Sequence, residues 1–312
     1  MGISSSVKSW TLGVILVGAT LASGCTSKEI FREEAATRIA APVFLQKRVI
    51  KTPMFNITVR ERVYEEGQPA MLYIEGDGDD WLTFEKDPGP VDPTALRLAA
   101  MDSKTNVIYM NRSCQETGEA DECPSTYWGS SKYSPEVIDS MSAALDNIRA
   151  NRHVTGFHVI GFGGGAAVAI GLAAQRQDIL SIRTVAGILD TVYYANLNKK
   201  PYPANSINPI DIAPQVAHIP QRHFVGQQDP EVPPALFHSF DQAMGQPSCS
   251  DVSIVDNATH QQGWAEQWKV LLALPVDCPV TEQPAMMDEP FEPANNLPAP
   301  YYNVNKGVGY LK

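Results

Sequence analysis

The chain has 312 residues, a formal net charge of −11 at pH 7 and 44% apolar residues. That length holds one large domain or two small ones, and an apolar share of this size builds a core without help from disulfides. The acidic balance argues against a nucleic-acid partner and against whole-chain adsorption to anionic lipid through a basic patch.

In chain order, Lys8 precedes an apolar, small-residue stretch from Trp10 to Ala22, too short to span a bilayer as a mature helix. This predicts a signal peptide over residues 1–24. The segment Leu21-Ala22-Ser23-Gly24-Cys25 resembles the lipobox of bacterial lipoproteins, with Leu21 one place further from the cysteine than is usual. The resemblance implies a mature N-terminus at a lipidated Cys25, held to a membrane by acyl chains that each contribute roughly 0.8 kcal/mol per buried methylene. Thr26 and Ser27 follow, with no aspartate, which by resemblance to bacterial sorting signals favours the outer membrane. Soluble secretion into the periplasm and an uncleaved anchor are the alternatives.

Residues 25–64 read as a tether or first helix followed by a hairpin, because Val43–Ile50 and Phe55–Val63 partly alternate and are rich in β-branched residues. From 65 to 280 the pattern changes. Compact apolar runs at Ala70–Ile74 and Asn106–Met110 predict buried strands, and Phe157–Ile160, Ile182–Val185, Arg222–Val225 and Val252–Val255 predict further strands. Between or after them, residues 94–101, a helix opened by Ser134 and Pro135, and residues 164–175, 234–244 and 264–273 predict helices. Strands alternating with helices indicate an α/β fold, a mostly parallel central sheet with helices on both faces. Residues 281–312 carry Pro284, Pro290, Pro293, Pro298 and Pro300 and predict an extended or disordered tail.

Apart from Cys25, four cysteines remain, which allows three pairings. Cys114 with Cys123 closes a short polar loop and Cys249 with Cys278 staples the C-terminal region, as suits an oxidising compartment. With no Cys-x-x-Cys and no histidine at ligand spacing, a zinc site is not expected.

The segment Gly161-Phe162-Gly163-Gly164-Gly165-Ala166 follows an apolar strand and opens a helix of alanines. That is the architecture of a nucleophile elbow, Gly-x-Ser-x-Gly, whose tight turn demands small residues at both flanks. Gly163 stands where the serine belongs. The same stretch fits a dinucleotide fingerprint, Gly161-x-Gly163-x-x-Ala166, with Asp190 beyond the next strand as the candidate ribose ligand. Its position in mid-chain, after several strands, and the export signal count against that alternative. Downstream, Asp229 lies in a turn after one predicted strand and His260 in a loop after the last, giving the order nucleophile, acid, histidine. Glu75-Gly76-Asp77-Gly78-Asp79-Asp80 ends another strand. It occupies the place of an oxyanion loop, with backbone donors expected at Asp77 to Asp79 and at Gly164. Three aspartates there would oppose a developing negative charge. A structural turn is the plain alternative, and a calcium loop is a weaker one because the terminal glutamate of an EF-hand is lacking.

Over about residues 65–275 the chain resembles the serine-hydrolase branch of the α/β-hydrolase superfamily. More narrowly it looks like a group of bacterial lipoproteins with an Ile-Glu-Gly-Asp-Gly turn, here Ile74–Gly78, and a Tyr-Ser-Gly-Gly-Gly elbow, here Phe162–Ala166. The resemblance implies an α/β-hydrolase fold. It also implies a catalytic set of Gly163 at the nucleophile position, Asp229 and His260, and an oxyanion pocket at Asp77, Gly78 and Gly164. With glycine at 163 no acyl-enzyme forms, so a catalytically impaired hydrolase that binds a ligand is the leading expectation. An ester or amide hydrolase that uses a His260-activated water or another nucleophile is the alternative. The partners expected are a membrane through Cys25 and a small-molecule or protein ligand in the pocket, with no nucleic acid, cofactor or metal.

Overall fold

The apolar runs in the middle of the sheet become strands buried on both faces, whereas the last run, in the strand Ser250–Val255, is mostly half-buried or exposed. In the computed structural model, β3 (Ala70–Ile74) and β4 (Val107–Met110) are buried at every position. The structure describes Gly2 and residues 28–78, 88–116, 123–247 and 249–278. Apart from Gly2, the expected signal peptide lies outside the described residues, as do Cys25, Asp79, Asp80 and the proline-rich tail.

Eight strands form one sheet. They are β1 (Gln46–Lys51), β2 (Asn56–Arg62), β3, β4, β5 (Phe157–Phe162), β6 (Ile179–Val185), β7 (Gln221–Gly226) and β8 (Ser250–Val255), in the order β1-β2-β4-β3-β5-β6-β7-β8. β1 pairs antiparallel with β2, and β2 antiparallel with β4. From β4 through β3, β5, β6 and β7 to β8 every pairing is parallel. The hairpin that the sequence sets apart at residues 25–64 is therefore the edge of this same sheet, because the β2 backbone finds its second partner only in β4.

Alternation along each strand feeds two cores. Leu72, Ile74, Ile108 and Val159 face α3 (Pro135–Arg152), α4 (Gly164–Gln175), α6 (Pro209–Val216) and α7 (Pro234–Met244). Met71, Tyr73, Val107 and Ile160 face α1 (Lys28–Ala40), α2 (Thr94–Met101) and α8 (Trp268–Ala273). Helices on both sides are what a parallel sheet requires to bury its two apolar faces.

Of the two readings of the first stretch, a tether or a first helix, the helix is the one that forms, as α1. Two local readings change. The helix expected over 264–273 is a 3₁₀ turn, Ala265–Gln267, followed by the short α8. Between β6 and β7 lie two helices with no clear signal in the sequence. α5 (Thr191–Asn198) is capped by Asp190, whose carboxylate accepts from Tyr193 N at 3.0 Å, and α6 contains Pro214. Both expected disulfides form, Cys114–Cys123 with Cα atoms 5.7 Å apart and Cys249–Cys278 with 4.2 Å.

Candidate active site

The parallel strands all point their C-terminal ends the same way, so the turns after β3, β5, β7 and β8 meet at one edge. The turn after β5 is the sharpest. Gly163 links β5 to α4 with φ 51° and ψ −119°, a conformation costly for a residue with a side chain. It is tied in place by Gly163 N donating to Val185 O and by Ile188 N donating to Gly163 O, both at 3.0 Å. The turn therefore has a strained geometry at a position that carries no side chain. A Cβ at Gly161 or Gly165 would meet backbone at 2.6 or 2.4 Å, which is why both flanks are glycine.

A Cβ built on Gly163 lies 3.6 Å from His260 Nε2, with Gly76 Cα next at 3.9 Å. A serine hydroxyl one bond further out falls within hydrogen-bonding reach of the ring. His260 Nδ1 lies 3.0 Å from Asp229 Oδ2. An ionised carboxylate only accepts, so Nδ1 donates to Asp229 and Nε2 is the ring atom turned to position 163. Asp229 Oδ1 accepts from Glu231 N at 2.8 Å and Val232 N at 3.0 Å, so its own turn orients it. Burial pushes the Asp229 carboxyl up. The hydrogen bond and charge of His260, with the two backbone donors, outweigh burial and leave it below the ordinary carboxylate value. His260 itself is held by Trp264 Nε1 donating to its carbonyl at 3.1 Å. Two other histidine rings place a ring nitrogen within hydrogen-bonding distance of a hydroxyl instead. His158 faces Ser181 and the fully buried His223 faces Thr184.

The loop after β3 supplies the opposite wall, and here the structure adds residues that the sequence did not single out. Asp77 is not a bare negative charge. Arg112 Nη1 and Lys132 Nζ both donate to its carboxylate, and Tyr133 OH donates to Oδ2 at 2.7 Å. Burial would raise the Asp77 carboxyl, but the charges of Lys132 and Arg112 hold it well below the usual carboxylate range. Two cations against one carboxylate offset the charge of Asp77, one of the three aspartates expected to oppose an oxyanion; Asp79 and Asp80 lie outside the described residues. The same pairing leaves no carboxylate at Asp77 for a calcium ion. Asp77 also packs directly on the elbow. A Cβ at Gly164 would come 1.9 Å from Asp77 Oδ1, so only glycine fits at 164. Arg112, Lys132 and Tyr133 lie far from Asp77 in sequence and carry no motif, so only the fold could reveal them.

Glu75, the residue before this turn, is buried with Oε1 accepting from Gly76 N at 2.9 Å and Oε2 accepting from Tyr109 OH at 3.1 Å. Burial raises its carboxyl to about 7 in spite of these donors.

Among the described residues, Gly163, Gly164, His260, Asp77 and Gly78 line one cavity of about 740 Å³, whose walls also include Trp128, Tyr194 and Tyr202. That volume suits a small organic ligand. Asp190, the ribose ligand that a dinucleotide site would need, is buried and engaged. It caps α5 and accepts from Ser239 Oγ at 2.6 Å, which disfavours that reading.

No protein-family model matches the chain, and no curated protein matches it significantly. Solved structures do. An esterase from Pyrococcus furiosus superposes with a TM-score of 0.55 at 12% identity, over 74% of this chain and 92% of its own. Est1E from Butyrivibrio proteoclasticus gives 0.52 at 13%, over 72% and 97%. A membrane phospholipase A described as a bacterial virulence factor gives 0.51 at 14%, over 78% and 91%. The chain has an α/β-hydrolase fold. In an α/β-hydrolase fold the elbow after β5, the acid turn after β7 and the histidine loop after β8 are the expected seats of a catalytic triad. Here those seats hold Gly163, Asp229 and His260.

Proposed function

We propose that this chain is a hydrolase-like protein of the cell envelope, anchored through Cys25, whose site lacks its nucleophile and binds a small-molecule or protein ligand in the cavity above Gly163. One observation carries the reading. His260 is fully oriented by Asp229 and aims Nε2 at a position 3.6 Å away where the chain has no side chain. Glycine cannot form an acyl-enzyme. In a well-studied serine hydrolase, loss of the serine costs about 2 × 10⁶ in kcat. The structural neighbours, an esterase and a phospholipase A, support an ester as the class of ligand.

The test is labelling with a fluorophosphonate probe. The protein as it stands does not react, whereas Gly163→Ser reacts, and His260→Ala in that background abolishes the reaction. A Gly163→Ser protein that folds but stays unlabelled sinks the proposal. A second reading rests on the open space before Nε2, where the nearest other atom to a Cβ at 163 is Gly76 Cα. A water held there and activated by His260 gives slow ester hydrolysis without labelling. Ester turnover lost in His260→Ala selects this reading. The anchor is tested separately, by palmitate incorporation that disappears in Cys25→Ala.

A further inference from the structure

The helix α5 exposes the wrong face. At 100° per residue, Val192, Tyr193, Asn196 and Leu197 fall on one side and Thr191, Tyr194 and Ala195 on the other. The second side is buried and the first is in solvent, although three of its four residues are apolar or aromatic. Val192 and Tyr193 are 41% exposed, Leu197 is 44% exposed, and Tyr202, just past the helix, is 45% exposed. Tyr202 also lines the cavity, together with Lys199 and Lys200, so the patch runs to the rim of the candidate site.

This face is rigidly presented. Asp190 caps the helix, Asn198 Nδ2 donates to Glu231 O at 3.0 Å, and Lys200 Nζ donates to Tyr194 OH at 2.8 Å. The chain as a whole is acidic, but the sign reverses here. Lys200 is paired with Glu231 at 2.9 Å, while Lys199 is exposed and makes no ion pair among the described residues. Four half-exposed side chains amount to a few hundred Å² at most, short of the roughly 800 Å² per partner that a stable protein interface needs. Apolar residues beside tyrosines and lysines have the composition of the membrane–water boundary, where aromatic rings and lysine tips stay at headgroup depth while aliphatic groups enter the acyl region.

We propose that the α5 face, with the turn through Tyr202, seats on a lipid bilayer bearing anionic headgroups, and that the cavity mouth opens toward that surface. Seating is led by Val192, Leu197 and the two tyrosines, and Lys199 adds a local attraction that the rest of the acidic chain does not provide. An acyl chain could then enter the cavity without crossing water. The proposal stands on the exposed face and does not depend on the chemistry at Gly163.

Spin labels at Leu197→Cys and Tyr202→Cys in the exported protein test it, with Val270→Cys on α8, 70% exposed, as the reference. The probe is vesicles of phosphatidylethanolamine containing phosphatidylglycerol. On the vesicles, labels at 197 and 202 gain access to oxygen and lose access to a water-soluble nickel chelate, while the label at 270 does not change. Lys199→Gln lowers the seated population about fivefold. Labels at 197 and 202 that stay as water-exposed as the label at 270 overturn the proposal. So do labels already shielded in buffer, which would mean that another part of the chain or a second copy covers this face. A seated population unchanged in Lys199→Gln overturns the assignment to an anionic surface. None of these outcomes alters fluorophosphonate labelling of Gly163→Ser, so the two proposals fail separately.

Discussion

Two turns of this sheet each carry an aspartate just past the C-terminal end of a parallel strand, and their fates differ. Asp229, after β7, is oriented by N–H groups of its own turn and spends its remaining oxygen on His260. Asp77, after β3, is held by Arg112, Lys132 and Tyr133, which arrive from distant parts of the chain. The first arrangement leaves the carboxylate able to act on a neighbouring ring. The second neutralises the carboxylate and makes it the post on which the wall over Gly164 rests. A carboxylate at a strand end is thus not functional by location. What decides is whether its partners are its own backbone and one titratable ring, or a cage of fixed cations.

The sharpest way to break this contrast is in the Gly163→Ser background. Asp229→Asn lowers the rate of fluorophosphonate labelling about 10⁴-fold, the size of effect seen when a triad aspartate loses its charge. Asp77→Asn lowers it far less, because its carboxylate touches no reacting atom. Rates that fall in the opposite order would show that Asp77 is the acid of this site.

Stability separates the two turns in the other direction. The Arg112 and Lys132 side chains are 5% and 17% exposed, and Asp77→Ala leaves both cations without their carboxylate. Breaking such a pair costs about 3–5 kcal/mol. Urea unfolding followed by far-ultraviolet circular dichroism should show that loss, and a smaller one for His260→Ala. Equal losses would remove the distinction between a structural and a functional carboxylate.

The smallest effects lie in the pH dependence, and the signs are opposite for two neighbours. Asp77 is held below its unfolded value of about 3.9, so its stabilisation is present at neutral pH and fades as the pH falls below that value. Asp77→Asn therefore flattens the acid limb of the stability curve. Glu75 is raised to about 7, so its contribution favours folding at low pH and is lost as the pH rises through 7. Glu75→Gln gains stability relative to the parent chain at pH 8 and not at pH 4. A parent chain with no alkaline loss that Glu75→Gln relieves would show that Glu75 ionises normally.

Much of this was legible in the sequence where neighbouring residues carry the reason. β3 and α4 have the bounds that their apolar and small-residue runs indicate, since a buried parallel strand and a closely packed helix leave little choice of residue. Gly161 and Gly165 announce the elbow because backbone atoms approach too closely for a Cβ. Asp229 and His260 are visible because each follows a strand, in the order that this topology needs. α5 was not visible. Its buried face is three residues wide and its solvent face is apolar, so its hydrophobic periodicity points to neither side.

What the sequence by itself determined is the local geometry: strands buried on two faces, a turn after β5 that only small residues can make, and the lack of a side chain at 163. These follow from the covalent chain and its immediate neighbours. What only the tertiary structure decided is which charges meet. Arg112 and Lys132 find Asp77 because β4 lies beside β3 and the segment before α3 folds over that turn, bringing together groups 35 and 55 residues apart. Electrostatic energy depends on separation in space, and separation in space is set by sheet order, which no local run of residues encodes.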